Sequence, residues 1–489
     1  MVSELDQVLQ DVGVAEVVVK LDTAAITNTG LALVQRGPVS AARAMRAMPD
    51  VMGLFISRKE AQRPFVADGP MALVSRNVPG AVARHVVQRT ATPSAVVATL
   101  YPKLGLAVGL VDRRATDALS EHPAVQSITV APIPRLIRPV AAAVAVPPRQ
   151  ATWGLSRMNV PQLWDRGVTG SGIVVGHLDT GVDDSHPALS GAVSAFAEFD
   201  LTGKMVPGAK ASDSGVHGTH TAGTIAGRAS RGKSIGVAPG ATLASGMVIE
   251  NGDVITRILS GMEWIVGLNV RILSMSLGIS GYTPSFQVII DALRNNNVLP
   301  VFAIGNEGAG NTRSPGNYAT VLSVGALDAG DAVATFSGSG VFVRPDKPNV
   351  PDLVAPGVGV ISCVPGGGYE SMDGTSMATP HIAGLAALLL QAQPRATNVQ
   401  LEDAITKSCM RPAGMTVGRG GAGVPDALRA LTAILGGVSL PPLATSVEVA
   451  RTRGNKGTAT GRTKGRTGGK KKAKTHKKPS GRRKGRKED

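Results

Sequence analysis

Two kinds of hydrophobic pattern alternate along the chain between residues 152 and 437. Short apolar runs rich in β-branched residues are typical of strands that are buried on both faces of a sheet. These runs are Ile173–Leu178, Leu243–Ile249, Ile272–Leu277, Leu299–Ala303 and Val321–Val324. Stretches of helical periodicity separate them, so the pattern predicts an α/β domain with a mainly parallel sheet.

A different order of elements is predicted upstream, within residues 68–132. In chain order the segments are strand Met71–Val74, helix Ala81–Gln88, strand Ala95–Leu100, strand Leu106–Val111, helix Arg113–Leu119 and strand Val125–Val130. This βαββαβ order predicts a small α+β domain with two helices on one face of its sheet. Residues 1–67 precede it as an extension of unknown role, although they contain a β-branched run at Val17–Leu21.

Two further segments lack the pattern of a packed element. Residues 133–151 contain four prolines around an Ala/Val run, which predicts a linker without regular structure. Residues 438–489 are predicted to form a disordered tail, because the last forty or so residues are mostly Gly, Thr, Lys and Arg. Residues 451–489 hold 17 basic and two acidic residues, which gives +15 of the formal net charge of +16 and leaves the remainder about neutral.

The basic tail indicates a possible partner. Seventeen cations would attract nucleic acid or another polyanion through counterion release, without sequence selectivity. No aromatic residue interleaves with them, so base stacking is not predicted. A solubilising or surface-adhering extension is the alternative hypothesis for residues 451–489.

Composition excludes several classes of protein. Two cysteines, Cys363 and Cys409, are too few for a disulfide framework and leave the redox compartment open. The first 25 residues lack the pattern of a secretory signal, so an intracellular location is the default expectation and unconventional export the alternative. The apolar stretches are shorter than the roughly 20 residues of a spanning helix. No paired Cys/His spacing supports a metal site.

Four short motifs supply the groups that amide hydrolysis needs: a nucleophile, a base, a group that orients the base, and an oxyanion donor. A buried strand ends at Asp179, the candidate orienting carboxylate. His217 begins a stretch of small residues and is the candidate base. The run Gly374–Pro380 leads straight into the predicted apolar helix His381–Gln391, so the hydroxyl of Ser376 would lie at a helix start that favours a nearby anion, and Ser376 is the candidate nucleophile. Asn306 follows another buried strand and can present a side-chain amide.

These motifs, taken together, resemble the subtilisin-like serine peptidases over residues 152–435. The chain order Asp, His, Ser is the order found in subtilisin. Further similar stretches occur in the family's order, namely Val237–Gly240, Met275–Gly278, Ser314–Gly316, Val324–Ala326, Ala334–Ser337 and Val354–Gly357. The resemblance implies a three-layer α/β/α sandwich and a serine endopeptidase acting on polypeptides.

The resemblance also implies a role for each matching residue. Asp179, His217 and Ser376 would form the catalytic triad, and Asn306 would be the oxyanion side chain. An extended substrate would pair with a strand edge formed by the substrate-binding residues Ser276, Leu277, Gly278 and Gly305. The α+β domain resembles the family's propeptide, which implies inhibition of the enzyme and self-cleavage between residues 133 and 150; an unrelated adaptor domain is the alternative.

The sequence departs from the family at two places. Family members often bind calcium through an Asp where this chain has Ala188, and the loop Arg228–Ser234 carries three cations, so the usual structural calcium site is expected to be lost. No cofactor is expected for the chemistry. Arg313 near the substrate pocket would favour acidic substrate side chains, whereas Glu307 would favour the opposite charge; with Arg313 pointing to solvent, the preference would be broad or apolar.

Two function hypotheses follow. The first is an active endopeptidase held inactive by its N-terminal domain. The second is a catalytically silent binding protein that keeps the peptidase fold and uses the basic tail as its working part. The presence of all four motif residues favours the first. The other histidines near the motifs are expected to be structural or to support the motif residues: His177, His186, His220 and His381.

Overall fold

A computed structural model describes residues 3–22, 49–57, 98–200, 202–230, 232–249, 254–343 and 347–437. The chain divides into two units, Met1–Leu443 and Ala444–Asp489, and only the first contains described residues. The predicted strand Met71–Val74, the predicted helix Ala81–Gln88 and the basic tail lie outside the described residues.

The N-terminal part of the chain forms a four-stranded antiparallel sheet with the order β2-β3-β1-β4. Its strands are β1 (Ala15–Leu21), β2 (Ala98–Tyr101), β3 (Leu106–Val111) and β4 (Val125–Val130). Its helices are α1 (Glu4–Val12), α2 (Pro49–Gly53) and α3 (Arg113–Glu121). Leu9 of α1 and Leu119 of α3 pack with the alternate β1 residues Val17 and Val19 in one buried apolar cluster, as expected for a sheet with helices on one face.

This sheet differs from the domain predicted for residues 68–132. β1 lies between β3 and β4 and pairs with both, so a boundary at residue 68 would divide one sheet. The run Val17–Leu21 is therefore part of the domain and not of a separate extension. The sequence pattern missed this because β1 is far from its partners β3 and β4 along the chain. The predicted domain contained only segments that are close together in the sequence.

The predicted linker contains three short strands: β5 (Arg135–Leu136), β6 (Ala141–Val144) and β7 (Gln150–Ala151). Each pairs with a strand of the domain that follows, and none pairs with another strand of the linker. The expectation that the Ala/Val run lacks regular structure was therefore wrong. The backbone groups of this run form hydrogen bonds with the edge of β21, and amino-acid composition does not indicate such pairing.

Residues 152–437 are built around a seven-stranded parallel sheet with the order β19-β16-β14-β12-β8-β11-β9. Its strands are β8 (Val174–Asp179), β9 (Val193–Glu198), β11 (Thr242–Met247), β12 (Ile272–Met275), β14 (Leu299–Ala303), β16 (Leu322–Leu327) and β19 (Leu353–Pro356). The other strands are β10 (Lys233–Ser234), β13 (Leu277–Ser280), β15 (Arg313–Ser314), β17 (Gly340–Val341), β18 (Asn349–Val350), β20 (Val360–Val364) and β21 (Gly368–Asp373).

Helices cover both faces of this sheet. They are α4 (Trp153–Arg157), α5 (Pro161–Trp164), α6 (His217–Ala226), α7 (Val254–Gly267), α8 (Gln287–Asn295), α9 (Thr375–Ala392), α10 (Asn398–Ser408), α11 (Val417–Gly420) and α12 (Ala427–Ile434). One apolar cluster joins the sheet to α6, α9, α10 and α12, and a second joins it to α7 and α8. The predicted three-layer α/β/α sandwich is confirmed.

The second apolar cluster also holds the N-terminal sheet. Val18, Tyr101 and Leu106 pack with residues of α7 in that cluster. The Tyr101 hydroxyl donates to the Thr256 carbonyl of α7 at 3.1 Å.

Within the described ranges, no helix is both long enough and apolar enough to cross a bilayer.

Candidate active site

Asp179 and His217 are brought together by the carboxyl end of β8 and the N-terminus of α6. His217 Nδ1 and Asp179 Oδ1 are 2.7 Å apart, and both side chains are buried. The Thr180 amide also donates to Asp179 Oδ1 at 2.7 Å. The sharp turn after the strand requires glycine, because Gly181 has φ +117° and a Cβ there would lie 2.1 Å from the Ser212 carbonyl oxygen.

The carboxyl group of Asp179 is held in its ionised form. Burial alone would raise its pKa, but the charge and the hydrogen bond of His217 together with the Thr180 amide hold the pKa of Asp179 below its usual value. A buried carboxylate of this kind fixes the orientation of the imidazole and stabilises it when it carries a proton. His217 Nε2 has no hydrogen-bond partner among the described residues and remains available for a proton.

Ser376 lies in the first turn of α9, which packs against α6. Its side chain is completely buried, and the hydroxyl donates to the Ile137 carbonyl oxygen at 2.5 Å. The hydroxyl is therefore covered by the segment that the sequence analysis assigned to a linker. The structure places the Ser376 hydroxyl against a peptide carbonyl, and not in a hydrogen bond with His217.

Asn306 follows β14 and lies beside the start of α9. Its Oδ1 accepts from the Thr375 amide at 2.9 Å and from the Thr375 hydroxyl at 2.8 Å. Its Nδ2 donates to the Arg138 carbonyl at 2.9 Å. The side-chain amide therefore presents its N–H end to the carbonyl of the residue that follows Ile137, whose own carbonyl contacts the Ser376 hydroxyl.

A continuous piece of the chain, Arg135–Val144, passes Ser376 in an extended conformation; we call it the cleft segment. The part of the cleft segment that precedes its contact with Ser376 pairs antiparallel with the predicted substrate-binding strand. Leu136 lies opposite Leu277, and Arg135 lies opposite Gly278. The Ile137 amide donates to the Ser276 carbonyl at 3.0 Å. The part of the cleft segment that follows this contact contains β6, which pairs antiparallel with β21. Backbone hydrogen bonds therefore hold the cleft segment on both sides of Ser376.

This arrangement was compared with known proteins. A model of the subtilase family matches residues 170–433, more than half of the chain. The chain belongs to the subtilase family. Subtilases are the subtilisin-like serine endopeptidases, so the resemblance drawn from the motifs is confirmed.

Several characterised subtilases are similar to this one. Subtilisin Savinase of Lederbergia lenta is 39% identical over 254 residues, which cover 51% of this chain and 88% of the relative. M-protease of Shouchella clausii is 38% identical over 265 residues, covering 54% of this chain and 65% of the relative. Subtilisin E of Bacillus subtilis is 35% identical over 257 residues, covering 51% and 64%. The chain thus spans less than two thirds of the length of the last two relatives.

The charges near the predicted substrate-binding strand are paired in this subtilase. Arg313 Nε donates to Glu307 Oε1 at 2.8 Å, and a second guanidinium nitrogen also contacts that oxygen. Arg313 Nη1 additionally donates to the Gly278 carbonyl at 3.3 Å. Gly305 has φ +116° and lies against both side chains. Arg313 and Glu307 therefore form an ion pair beside the predicted substrate-binding strand.

The residues around Ala188 do not fit the calcium site that is common in the family. Ala188 is buried and offers a methyl group in place of a carboxylate. The Arg228 guanidinium donates to the carbonyls of Gly191, Ala226, Pro239 and Ala241 and so brings a cation of its own. In the described part of the chain, no group of three or more His, Cys, Asp or Glu side chains could hold a metal ion.

The two cysteines and two of the buried histidines have structural surroundings. Cys363 and Cys409 are both free, and burial raises the pKa of each thiol to about 12. His220 Nε2 contacts the Val360 carbonyl at 3.0 Å. His381 Nδ1 contacts the Met377 carbonyl at 2.8 Å.

His177 differs from these, because its contacts lead to Asp179. Its Nδ1 lies 2.9 Å from Ser245 Oγ, and its Nε2 lies 2.9 Å from Thr221 Oγ1. The Thr221 hydroxyl is in turn 3.3 Å from Asp179 Oδ2. The available sequence signal was an ionisable residue within a buried strand, two positions before the candidate carboxylate.

Proposed function

We propose that this protein hydrolyses peptide bonds with Ser376 as nucleophile, His217 as general base, Asp179 as the orienting carboxylate and Asn306 as an oxyanion donor. One observation carries the proposal. An extended peptide lies in the cleft with a carbonyl oxygen 2.5 Å from the Ser376 hydroxyl, on a domain in which Asp179 and His217 are already bonded at 2.7 Å.

The proposed reaction assigns one task to each side chain. Ser376 Oγ attacks the carbonyl carbon while its proton passes to His217 Nε2. The carbonyl oxygen becomes an oxyanion, and Asn306 Nδ2 turns from the adjacent Arg138 carbonyl to donate to it. Collapse of this intermediate breaks the C–N bond, and His217 gives the proton to the leaving amine. Water then attacks the acyl-enzyme by the same route and releases Ser376. Asp179 stays ionised and holds the imidazole throughout, which its lowered pKa supports.

The proposal includes self-cleavage at one bond of the cleft segment, Ile137–Arg138. The Ser376 hydroxyl contacts the Ile137 carbonyl, and the Ile137 amide is held by Ser276. The neighbouring Arg138–Pro139 bond has its carbonyl on Asn306, but its nitrogen belongs to a proline ring. We therefore assign the bond whose carbonyl faces the nucleophile.

The N-terminal domain acts in this proposal as the inhibitor of the uncleaved chain. It positions the cleft segment, because β4 ends only five residues before β5 and the sheet is fixed to α7. The Lys103 and Leu104 amides each donate to the Glu263 carboxylate of α7 at 3.0 Å. A substrate and the cleft segment would compete for the same strand edges, so the cleft is closed to other peptides until the part of the segment that precedes the cut leaves.

The decisive experiment compares the full-length protein with Ser376→Ala. We expect the unchanged protein to react with a serine-directed fluorophosphonate, to digest an unfolded protein and to acquire a new N-terminus at Arg138. Ser376→Ala should do none of these and stay full length. Ser194→Ala, on the edge strand β9, is the matched serine control and should behave like the parent.

The outcomes separate the parts of the proposal. A new N-terminus at Pro139 would move the cleaved bond by one residue and contradict its assignment. An unchanged protein that neither reacts with the fluorophosphonate nor cleaves would contradict the peptidase and leave the binding-protein hypothesis. Fluorophosphonate label on a residue other than Ser376 would contradict the assignment of Ser376 as the nucleophile.

The basic tail adds a partner to the proposal. We infer that residues 451–489 bind nucleic acid or another polyanion, which the 17 basic residues in that segment support. Such binding is electrostatic, so it would weaken steeply with salt. It would hold the peptidase near an anionic surface without contributing to the chemistry.

A further inference from the structure

Asp179 uses its two oxygens differently. Oδ1 contacts the His217 imidazole and the Thr180 amide, both at 2.7 Å. Oδ2 faces the Thr221 hydroxyl at 3.3 Å and His177 Nε2 at 4.0 Å. Because these side chains are all buried, water cannot replace a missing donor at Oδ2.

The state of His177 decides where the Thr221 proton points. Burial lowers the pKa of His177, so the ring is neutral and carries one proton. With that proton on Nε2, His177 donates to Thr221 Oγ1, and Nδ1 accepts from the Ser245 hydroxyl. The single Thr221 proton is then free for Asp179 Oδ2. With the proton on Nδ1, Thr221 donates to Nε2 instead, and Oδ2 loses its donor.

The surrounding charges favour the first arrangement. Asp179 on β8 lies 4.0 Å from Nε2 and attracts a proton at that atom. The other ionisable groups facing His177 are Asp213, from the loop before α6, and His217 at the start of α6. Asp213 is itself anchored by the Thr180 and Thr219 hydroxyls. Ser245 on β11 contributes a neutral hydroxyl.

We propose that His177 is a positioning residue, protonated on Nε2, which directs the Thr221 hydroxyl toward Asp179 Oδ2 and thereby holds the catalytic carboxylate in place. This inference rests on the proposed function. Thr221 also has two helix carbonyls within reach, those of His217 at 3.2 Å and Gly218 at 3.1 Å. The negative charge of Asp179 makes Oδ2 the stronger acceptor of the three.

Removing the donor has a predictable consequence for catalysis. Asp179 Oδ2 then keeps more of its negative charge, so the carboxylate attracts the proton on the catalytic base more strongly. Because the unprotonated imidazole is the active base, the acidic limb of the kcat/KM profile moves to higher pH. A loss of packing alone would lower activity without moving that limb.

Two pairs of variants test the kinetic consequence in the processed enzyme. Thr221→Val removes the donor at Oδ2, and we expect kcat/KM to fall about threefold to tenfold with the acidic limb at higher pH. His177→Val removes only the group that directs the Thr221 hydroxyl, so we expect a smaller change in the same direction. Thr221→Ser and His177→Gln keep a hydroxyl and a donor, and should restore most of both. His381→Gln is the control, since that buried histidine contacts a backbone carbonyl of α9.

The protonation of His177 can be read without activity. In full-length Ser376→Ala labelled with ¹⁵N-histidine, NMR should show His177 with its proton on Nε2. A proton on Nδ1 would overturn the inference, whatever the kinetics show. If the parent hydrolyses peptides and Thr221→Val leaves the acidic limb unmoved, this inference fails while the peptidase stands. If the parent never hydrolyses peptides, it is the proposed function that fails.

Discussion

Asn306 uses both ends of one side-chain amide, and the two ends have different tasks. Two bonds from Thr375, at 2.8 and 2.9 Å, hold Oδ1 and so decide that the N–H end faces the cleft. In the proposed mechanism, an amide rotated by half a turn would present its oxygen to the developing oxyanion and repel it. Thr375 therefore contributes to the site by fixing the direction of a neighbour.

Asn306→Ala tests this donor at the scale of one residue. Loss of the corresponding kind of donor in subtilisin lowers kcat by roughly 10²–10³, and we adopt that range for this chain. KM should change little, because the bond strengthens only as charge develops on the oxygen. The measurement is steady-state hydrolysis of a peptide by the processed enzyme. Asn311→Ala, in the nearby loop, is the matched control; a loss below tenfold for Asn306→Ala would remove the role.

Sequence alone predicted residues whose local pattern is distinctive and missed those whose partners are distant. Asp179, His217 and Asn306 each stand at a strand end or helix start, and the structure finds them there. The contact of His177 with Thr221 depends on how β8 packs against α6, which no local pattern encodes. For Arg313 the sequence left two orientations open, because only the loop conformation brings it to Glu307.

At the scale of elements, β6 shows why part of the fold could not be predicted. All four of its side chains are exposed, so no apolar alternation marks it as a strand. Backbone hydrogen bonds to β21 hold β6 in place. The Val140 amide donates to the Asp373 backbone carbonyl at 2.7 Å, and the Ala145 amide donates to the Tyr369 backbone carbonyl at 2.9 Å. Such a strand forms only where another strand already offers its edge.

Because β6 follows the proposed cleavage site, we expect it to stay in the cleft after processing and to compete with substrates. Ala145→Pro removes the donor to the Tyr369 carbonyl and should weaken this hold. For the processed enzyme, kcat/KM should rise about threefold to tenfold for peptides that extend past the scissile bond. A substrate that ends in a small chromogenic leaving group does not reach β21 and should be hydrolysed at the parental rate.

The control for this variant is Ala143→Ser, which changes an exposed side chain of β6 and keeps every backbone donor. It should match the parent on both substrates. Equal kcat/KM of Ala145→Pro and parent on the long peptide would mean that β6 leaves the cleft once the chain is cut.

The molecule as a whole follows from its buried strands more than from its connections. The apolar runs predicted the parallel sheet, because a strand buried on both faces leaves a distinctive pattern. The two helical layers were implied by the resemblance to the family. The N-terminal domain was only partly predicted. β3 and β4 agree with the expected strands, and α3 agrees with the expected helix up to its last two residues. The run that forms β1 was noted, but its place in this sheet was missed, because a local pattern does not indicate which distant strand completes a sheet.

Histidines buried in the core make the free energy of unfolding depend on pH. Burial lowers the pKa of His220 to about 3 and that of His381 to about 4, and it lowers the pKa of His177 as well. In the unfolded chain these imidazoles take up protons near pH 6.5. Below that pH the unfolded state therefore binds more protons than the folded state, and the free energy of unfolding must fall.

We expect the free energy of unfolding to decrease from pH 6.5 to 4.5, by about 1.4 kcal/mol per pH unit for each buried histidine once its unfolded form is fully charged. More than about one pH unit above 6.5 these groups contribute little slope, since both states are then neutral. Carboxylates with lowered pKa values, such as Asp179 and Asp200, lose their contribution only at lower pH. Urea unfolding of full-length Ser376→Ala, which cannot digest itself under the proposed mechanism, measures the slope. His381→Gln in that background should reduce it by one proton, and an unchanged slope would show that His381 is charged in the folded protein.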